Sequence, residues 1–404
     1  MAIKTKKLDF LITQQIIEAK KELLCNIYTF LKPVNVAEFS DSFKFQKANK
    51  FKLIYGKDEE KITSKPYTRI EIKLRCLRQI EKFQKIKENL KKYCLDKNIY
   101  FLYKNFLNEL ILKRKLYLHV GDNDKFTEIS RKIYPLPSKE IFQQALSILE
   151  KFCLSKNKPK LIRISSRKFV DEFKKLFKKN KIEDCEIVLE KAINSRVMVV
   201  RKIFGNQIKV HVRDNKKGIV FAAGELQITL QHELVHILRN KNGKKQPLSI
   251  LQAGTAGYAK TEEGLASYLS IQKIKQKGIS LTLARNALRT VVLFWALKID
   301  NQEIYKKIRH FGFSHQLAIE TILRVKRGTD GASGAVFSKD GSTYYPGLLE
   351  IEKFIKEKIS KGWTEKKAVN LLLQGKFAIS DLKILEKIIE FKKHNYKYYS
   401  KEVM

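Results

Sequence analysis

Apolar residues recur at three- and four-residue steps through the lysine-rich first part of the chain, as in Ile72, Leu74, Leu77, Ile80 and Phe83, and again in Phe106, Leu107, Leu110 and Leu112. That step turns them to one side of a 3.6-residue helix, so the spacing predicts amphipathic helices through residues 1–155. Pro33, Gly56, Pro66, Gly121, Pro135 and Pro137 punctuate them. Near residue 158 the pattern changes. Leu161–Ile164 and Cys185–Leu189 read as strands flanking a helix whose apolar face is Phe169, Phe173, Leu176 and Phe177. Val197–Val200 and the alternating Ile208–Val212 follow as strands joined across the Gly205-Asn206 turn. Beyond Glu225 the helical step returns, interrupted by the glycine-rich stretch 328–347, GTDGASGAVFSKDGSTYYPG, which reads as a loop. The expected fold class is therefore α+β and mostly helical. An N-terminal helical region occupies 1–155, a unit with a small mixed β-sheet occupies 156–385, and a basic helix end or tail occupies 386–404.

Composition narrows the classes of function. With 404 residues, 44% of them hydrophobic, the chain can bury a real core and is not a disordered polymer. Lys plus Arg number 82 against 42 acids, a net charge of +40. Such a field attracts polyanions. The excess is nearly all lysine, however, spread from Lys4 to Lys401, and no zinc finger, RRM or basic-zipper pattern accompanies it. A nucleic-acid partner is thus possible but unsupported by a motif. The longest apolar run, Val291–Leu297, falls far short of the roughly 20 residues of a membrane helix, and no membrane partner is expected. The charged N-terminus lacks a secretory pattern, which makes a cytoplasmic protein the expectation. Five cysteines, odd in number and never in a CxxC pair, predict reduced and mostly buried thiols rather than disulfides or a thiolate zinc site.

The chemistry concentrates in Glu225–Asn240, ELQITLQHELVHILRN, whose apolar stripe is Leu226, Leu230, Leu234, Val235, Ile237 and Leu238. His232 and His236 are four apart, so a helix turns both imidazoles to one face, with Glu233 beside the first. Two neutral imidazoles so placed can bind Zn²⁺, and the intervening glutamate can take a proton from water. This HExxH pattern is a zincin signature, and it makes a zincin-like metallopeptidase the expectation for 156–385. A third ligand is available in Thr261-Glu262-Glu263-Gly264-Leu265-Ala266, read as a helix start with Thr261 as its cap and Gly278 as its stop. Two histidines and one carboxylate leave a coordination position open, as catalysis requires. Spacing alone does not separate Glu262 from Glu263.

The stretch HELVHILRNKNGKKQPLSILQAGTAGYAKTEEGLA resembles the tyrosine/phenylalanine carboxypeptidase family, which includes the microtubule-associated tyrosine carboxypeptidases. Matching positions include Gln246-Pro247-Leu248, Gly257-Tyr258 and Glu263-Gly264-Leu265-Ala266. Similarity extends upstream to Lys52-Leu53-Ile54-Tyr55 and Tyr134-Pro135-Leu136-Pro137, and downstream to Arg324–Gly328, Phe337–Asp340 and Tyr344-Tyr345-Pro346-Gly347. The resemblance covers about residues 45–385. It implies His232, His236 and Glu263 as Zn²⁺ ligands, Glu233 as general base, and a peptide or protein C-terminus as substrate, cleaved to release a terminal Tyr or Phe. The chain departs from the family pattern twice: only Leu234 and Val235 separate Glu233 from His236 where the family has three residues, and Glu262 stands where it has Gln.

Cleavage also needs a donor for the tetrahedral oxyanion, for which Tyr344, Tyr345 and Tyr258 are candidates. An exopeptidase must grip the free α-carboxylate, for which Arg324, Arg327 and Lys339 in and beside the glycine-rich stretch are candidates, with Arg239 after the histidines as another. The stretch itself reads as a pocket wall or lid. The remaining histidines, His119, His211, His310, His315 and His394, share no ligand spacing and read as structural. Alternatives to the carboxypeptidase are a zinc endopeptidase or aminopeptidase, and a basic binding protein for nucleic acid or acidic polymers with a vestigial site. Oligomeric state is not set by the sequence.

Overall fold

The computed structural model describes Gln15 and residues 69–390, apart from 95, 155–160, 192–195, 202–207, 223 and 272–279. The helices expected before residue 69, Cys25, the Gly205-Asn206 turn, the Gly278 stop, His394 and the end of the basic tail lie outside the described residues.

The helix Arg69–Tyr93 packs on a second, Lys97–Leu118. Its buried face is Ile72, Cys76, Ile80, Phe83, Ile86 and Leu90, a regular three- and four-residue step. Leu74 and Leu77, expected on that face, are both 52% exposed. At 3.6 residues per turn they lie about 200° and 140° round the helix from Ile72, so a stripe of six residues won over the two leucines. Asp96 caps the second helix by accepting from the amides of Asn98 and Ile99, which satisfies donors that a helix start leaves unpaired. Asn123–Ile133 and Lys139–Leu154 follow.

The strand block forms two small sheets. β1 (Leu161–Ile164) pairs antiparallel with β5 (Ile219–Ala222), a strand that the sequence did not announce. β2 (Cys185–Glu190) runs parallel to β4 (Ile208–Arg213), and β3 (Val197–Arg201) pairs antiparallel with the other edge of β4. Central β4 buries Ile208, Val210 and Val212 in the same core as Phe169, Phe173 and Phe177 of the Ser166–Lys179 helix. The architecture is α+β and mostly helical, with the mixed pairing confined to this block.

A helical platform completes the molecule: Glu225–Lys245, Ile250–Ala253, Tyr258–Ile271, Leu281–Ala296, Asn301–His310, His315–Val325, Lys339–Ser360, Glu365–Leu372 and Leu382–Ile388. The expected loop 328–347 is a loop only in its first part. From Lys339 the chain is helical, with Pro346 inside the helix. Gly341 and Gly347 serve close packing instead of turning: a Cβ on Gly347 would collide with the carbonyl of Lys260, and one on Gly341 with the carbonyl of Arg289. The preceding stretch is pinned from two sides. The Lys326 ammonium donates to the carbonyls of Ala296, Ala332 and Ala335 at 3.0, 2.7 and 2.9 Å. From the other side, Thr127 accepts from the Val336 amide and Ser130 from the Ser338 amide. Burial lowers the Lys326 pKa to about 8. Among the described residues no helix is long and apolar enough to cross a membrane, and of the described cysteines, expected to be mostly buried, Cys76 is buried, Cys94 and Cys185 are half-buried and Cys153 is exposed.

Candidate metal centre and active site

The helix bearing the histidines is fixed at its first residue. Gly224 takes a left-handed conformation (φ 77) before it, which costs glycine nothing. Glu225 then reaches back, accepting from the Ala222 amide at 2.7 Å and pairing with Arg196 at 2.7 Å and with Arg285. Burial favours the neutral acid, but Arg285 and Arg196 outweigh it and hold the carboxyl below its usual range. Strand block, histidine helix and Leu281–Ala296 are thereby tied at one point. Leu230, Leu234, Val235, Ile237 and Leu238 enter the core, leaving His232 and Glu233 partly exposed and His236 buried.

The acidic pair comes from Tyr258–Ile271, which begins earlier than expected. Gly254 (φ 108) ends the short Ile250–Ala253 helix and Gly257 (φ 71) turns the chain, so the next helix forms from Tyr258. Thr261 is consequently not the cap; its hydroxyl accepts from the Ile379 amide at 3.1 Å. Glu263 Oε2 lies 3.2 Å from His232 Nε2 and 3.7 Å from His236 Nε2. One ligand atom from each of these residues falls within 4.8 Å of the others, and the two imidazoles meet at 77° with centroids 4.9 Å apart. Glu263 Oε2 is buried and has no hydrogen-bond partner, a costly state for a carboxylate. An orphaned oxygen facing two imidazole nitrogens fits a divalent cation, and nitrogen and oxygen ligands of this kind suit Zn²⁺. Burial would raise the Glu263 pKa, but His236, His232 and Lys339 hold it at about 2. Burial likewise presses His232 down, and Glu263 with Glu233 overrides it to leave the imidazole above its ordinary value.

Glu262 points elsewhere. Its Oε1 lies 2.7 Å from His236 Nδ1 and its Oε2 3.9 Å from Arg239 Nη1. Of the two acids left open by spacing, Glu263 faces both Nε2 atoms, and Glu262 faces the back of one ring. Arg239, a candidate for gripping substrate, is wholly buried, donating to the carbonyls of Gly375 and Phe377 at 2.7 and 2.9 Å.

Across from the acids stands a cationic wall. The Tyr344 ring stacks on His232, with centroids 6.3 Å apart and planes 12° apart, and Arg289 sits 4.1 Å above the same ring. Burial, reinforced by Glu263, pushes the Tyr344 hydroxyl far above its usual pKa and keeps its proton on. Asp340 pairs with Arg324 at 3.0 Å. Burial opposes its charge, but Arg324, Arg327, Arg289 and Lys339 together hold it well below the ordinary carboxylate range. Arg324 thus contacts Asp340 directly, the charges of Arg327 and Lys339 act on the same carboxylate, and Tyr344 lies against His232 of the acid–histidine cluster. Tyr345 is not: it lies in the hydrophobic core. Tyr258 packs its ring against Gly254 and under the Lys376 ammonium. Among the other described histidines, His119 approaches Asp122 and His315 pairs with the Tyr305 hydroxyl.

Arg289 was missed by the sequence reading, as were the supporting places of Glu262 and Arg239. One arginine among 82 basic residues carries no signal of its own. The only hint was its helical offset of four from Arg285, which also faces the histidine helix.

A family model described as microtubule-associated tyrosine carboxypeptidase matches residues 58–397. No curated protein matches the chain.

Proposed function

The chain belongs to the microtubule-associated tyrosine carboxypeptidase family, and from that premise we propose that it is a zinc-dependent carboxypeptidase removing a C-terminal Tyr or Phe from a peptide or protein. Membership by itself makes it an enzyme of carboxypeptidase type acting on a peptide or protein C-terminus. The observation carrying the finer reading is the convergence of His232 Nε2, His236 Nε2 and Glu263 Oε2 next to Glu233 and opposite a cationic wall.

Zn²⁺ held by His232, His236 and Glu263 would supply a Lewis acid that acidifies a water and polarises the scissile carbonyl. Glu233, one residue after the first histidine, takes the proton of the attacking water and passes it to the departing amine. Tyr344, kept protonated by its surroundings, donates to the developing oxyanion. Arg289, Arg324, Arg327 and Lys339 outnumber Asp340, Glu263 and Glu233 by four to three. That surplus draws in the substrate's terminal carboxylate, which a guanidinium can hold in bidentate fashion. On this reading a single residue is released, because a terminal carboxylate held by these cations would leave the last peptide bond at the metal.

The test is a panel of peptides ending in Tyr, Phe, Leu or Lys, incubated with the protein and with Glu233→Gln and followed by mass spectrometry. Loss of one terminal Tyr or Phe, abolished by chelator and by the substitution, supports the proposal. Internal cuts would make the enzyme an endopeptidase, and loss of the first residue an aminopeptidase.

A further inference from the structure

Behind the face that the two Nε2 atoms present lies a second row of side chains. Arg239, Glu262 and His236 are 0%, 3% and 6% exposed. The order is fixed by distances already given: Arg239 is anchored on two main-chain carbonyls, faces Glu262 Oε2 with Nη1, and Glu262 Oε1 meets His236 Nδ1 at 2.7 Å. A carboxylate oxygen accepts hydrogen bonds, so the 2.7 Å contact calls for an Nδ1–H donor on His236. With a cation bound, its Nε2 would be left to face that ion beside Glu263. The charges also balance. Glu262 opposes Arg239, so neither is an uncompensated buried ion.

We propose that Glu262, braced by Arg239, is a positioning residue that locks His236 in its Nδ1–H form and so sets the affinity of the site for zinc. This rests on the metal-centre reading above and adds a claim about a residue outside the three facing the ion. A histidine whose other nitrogen donates to a carboxylate is held in one tautomer and orientation and is a stronger base toward metal, and losing such a partner costs about 10- to 100-fold in affinity. The anchor reaches further. Arg239 ties the row to the 375–377 segment, whose neighbours Ala378 and Ile379 donate to Thr255, in the turn before the acid-bearing helix, and to Thr261 on that helix.

The experiment measures zinc affinity of the full-length protein by competition with a chromophoric chelator, for wild type, Glu262→Gln and Glu262→Ala, with circular dichroism recorded on each. The proposal expects wild type to bind tightly, Glu262→Ala to bind on the order of 10- to 100-fold more weakly, and Glu262→Gln, which keeps an accepting oxygen, to fall between. A second readout is the two-bond ¹H–¹⁵N spectrum of histidine-labelled protein. A single Nδ1–H tautomer of His236 is expected in wild type and tautomer mixing in metal-free Glu262→Gln, whose near-identical shape guards against misfolding. Folded variants that bind zinc within about twofold of wild type, or a wild-type His236 protonated on Nε2, overturn the proposal while leaving the metal centre standing. Wild-type protein that takes up no zinc overturns both.

Discussion

The two walls of the site are built in opposite ways. The acid–histidine wall comes from two neighbouring helices within residues 225–271, and its residues face one another at 3.2 and 3.7 Å. The cationic wall draws Arg289 from one helix, Arg324 from a second, Arg327 from the pinned loop, and Lys339, Asp340 and Tyr344 from a third. The first wall is a local pattern made rigid by a single helix crossing. The second exists only when distant segments have folded together. A reactive centre must be held closely, and helices do that best. A charged wall can be assembled more loosely because its field acts over a longer range.

The sharpest way to separate the walls is to remove one function from each. Glu233→Gln is expected to lower kcat by about 10²- to 10⁴-fold while zinc content, read by elemental analysis, stays at the wild-type level. Arg327→Met or Lys339→Met should act mainly on KM, raising it about 10- to 100-fold, as expected when a charge-assisted hydrogen bond worth about 1.5–3 kcal/mol is lost. Amidating the peptide C-terminus should produce a matching loss with wild-type enzyme. Equal cleavage of amidated and free peptides would break the comparison, because the cationic wall would then have no carboxylate to read.

A third change tests how closely the first wall is held. Gly264, next to Glu263, has no room for a Cβ against Gly347 of the crossing helix. Alanine in a helix interior usually gains about 1 kcal/mol over glycine. Here Gly264→Ala should instead destabilise the protein by about 1–3 kcal/mol, seen as a lower urea midpoint. An unchanged or higher midpoint would mean that the crossing is loose.

The smallest effect concerns acid. Asp340 has a folded pKa below its unfolded value near 3.8, so its ionised form contributes stability that is fully present above that value. The contribution fades as pH falls from there through the folded pKa. Asp340→Asn removes the titration, so the stability gap between wild type and variant should narrow below about pH 4, measured by denaturant melts across pH. A gap constant down to pH 2 would contradict the ion-pair account of this wall.

Legibility followed the same division. His232 and His236 could be read because both ligands lie on one helix, where an offset of four fixes the face they share. Glu262 and Glu263 could not be separated, since adjacent residues differ by about 100° round a helix and the crossing angle decides which one looks inward. β5 went unseen because Ile219–Ala222 is four residues long and apolar throughout, with no alternation to read. Gly341 and Gly347 looked like loop residues, although their role is to let helices touch. Leu74 and Leu77 looked like core, although a competing stripe took the buried face. Arg289 had little local signature beyond its offset of four from Arg285, because its contact is with Tyr344, 55 positions later in the chain.

The central claim is that His232, His236 and Glu263 hold one divalent ion. Zinc content after equilibrium dialysis, measured by elemental mass spectrometry on wild type, His236→Ala and Glu263→Ala, addresses it most directly. The account predicts about one zinc per wild-type chain, the count of a single His₂Glu centre, and a large loss in both variants with helical circular dichroism retained. Variants that keep as much zinc as wild type, or wild-type protein that emerges without any, would contradict it.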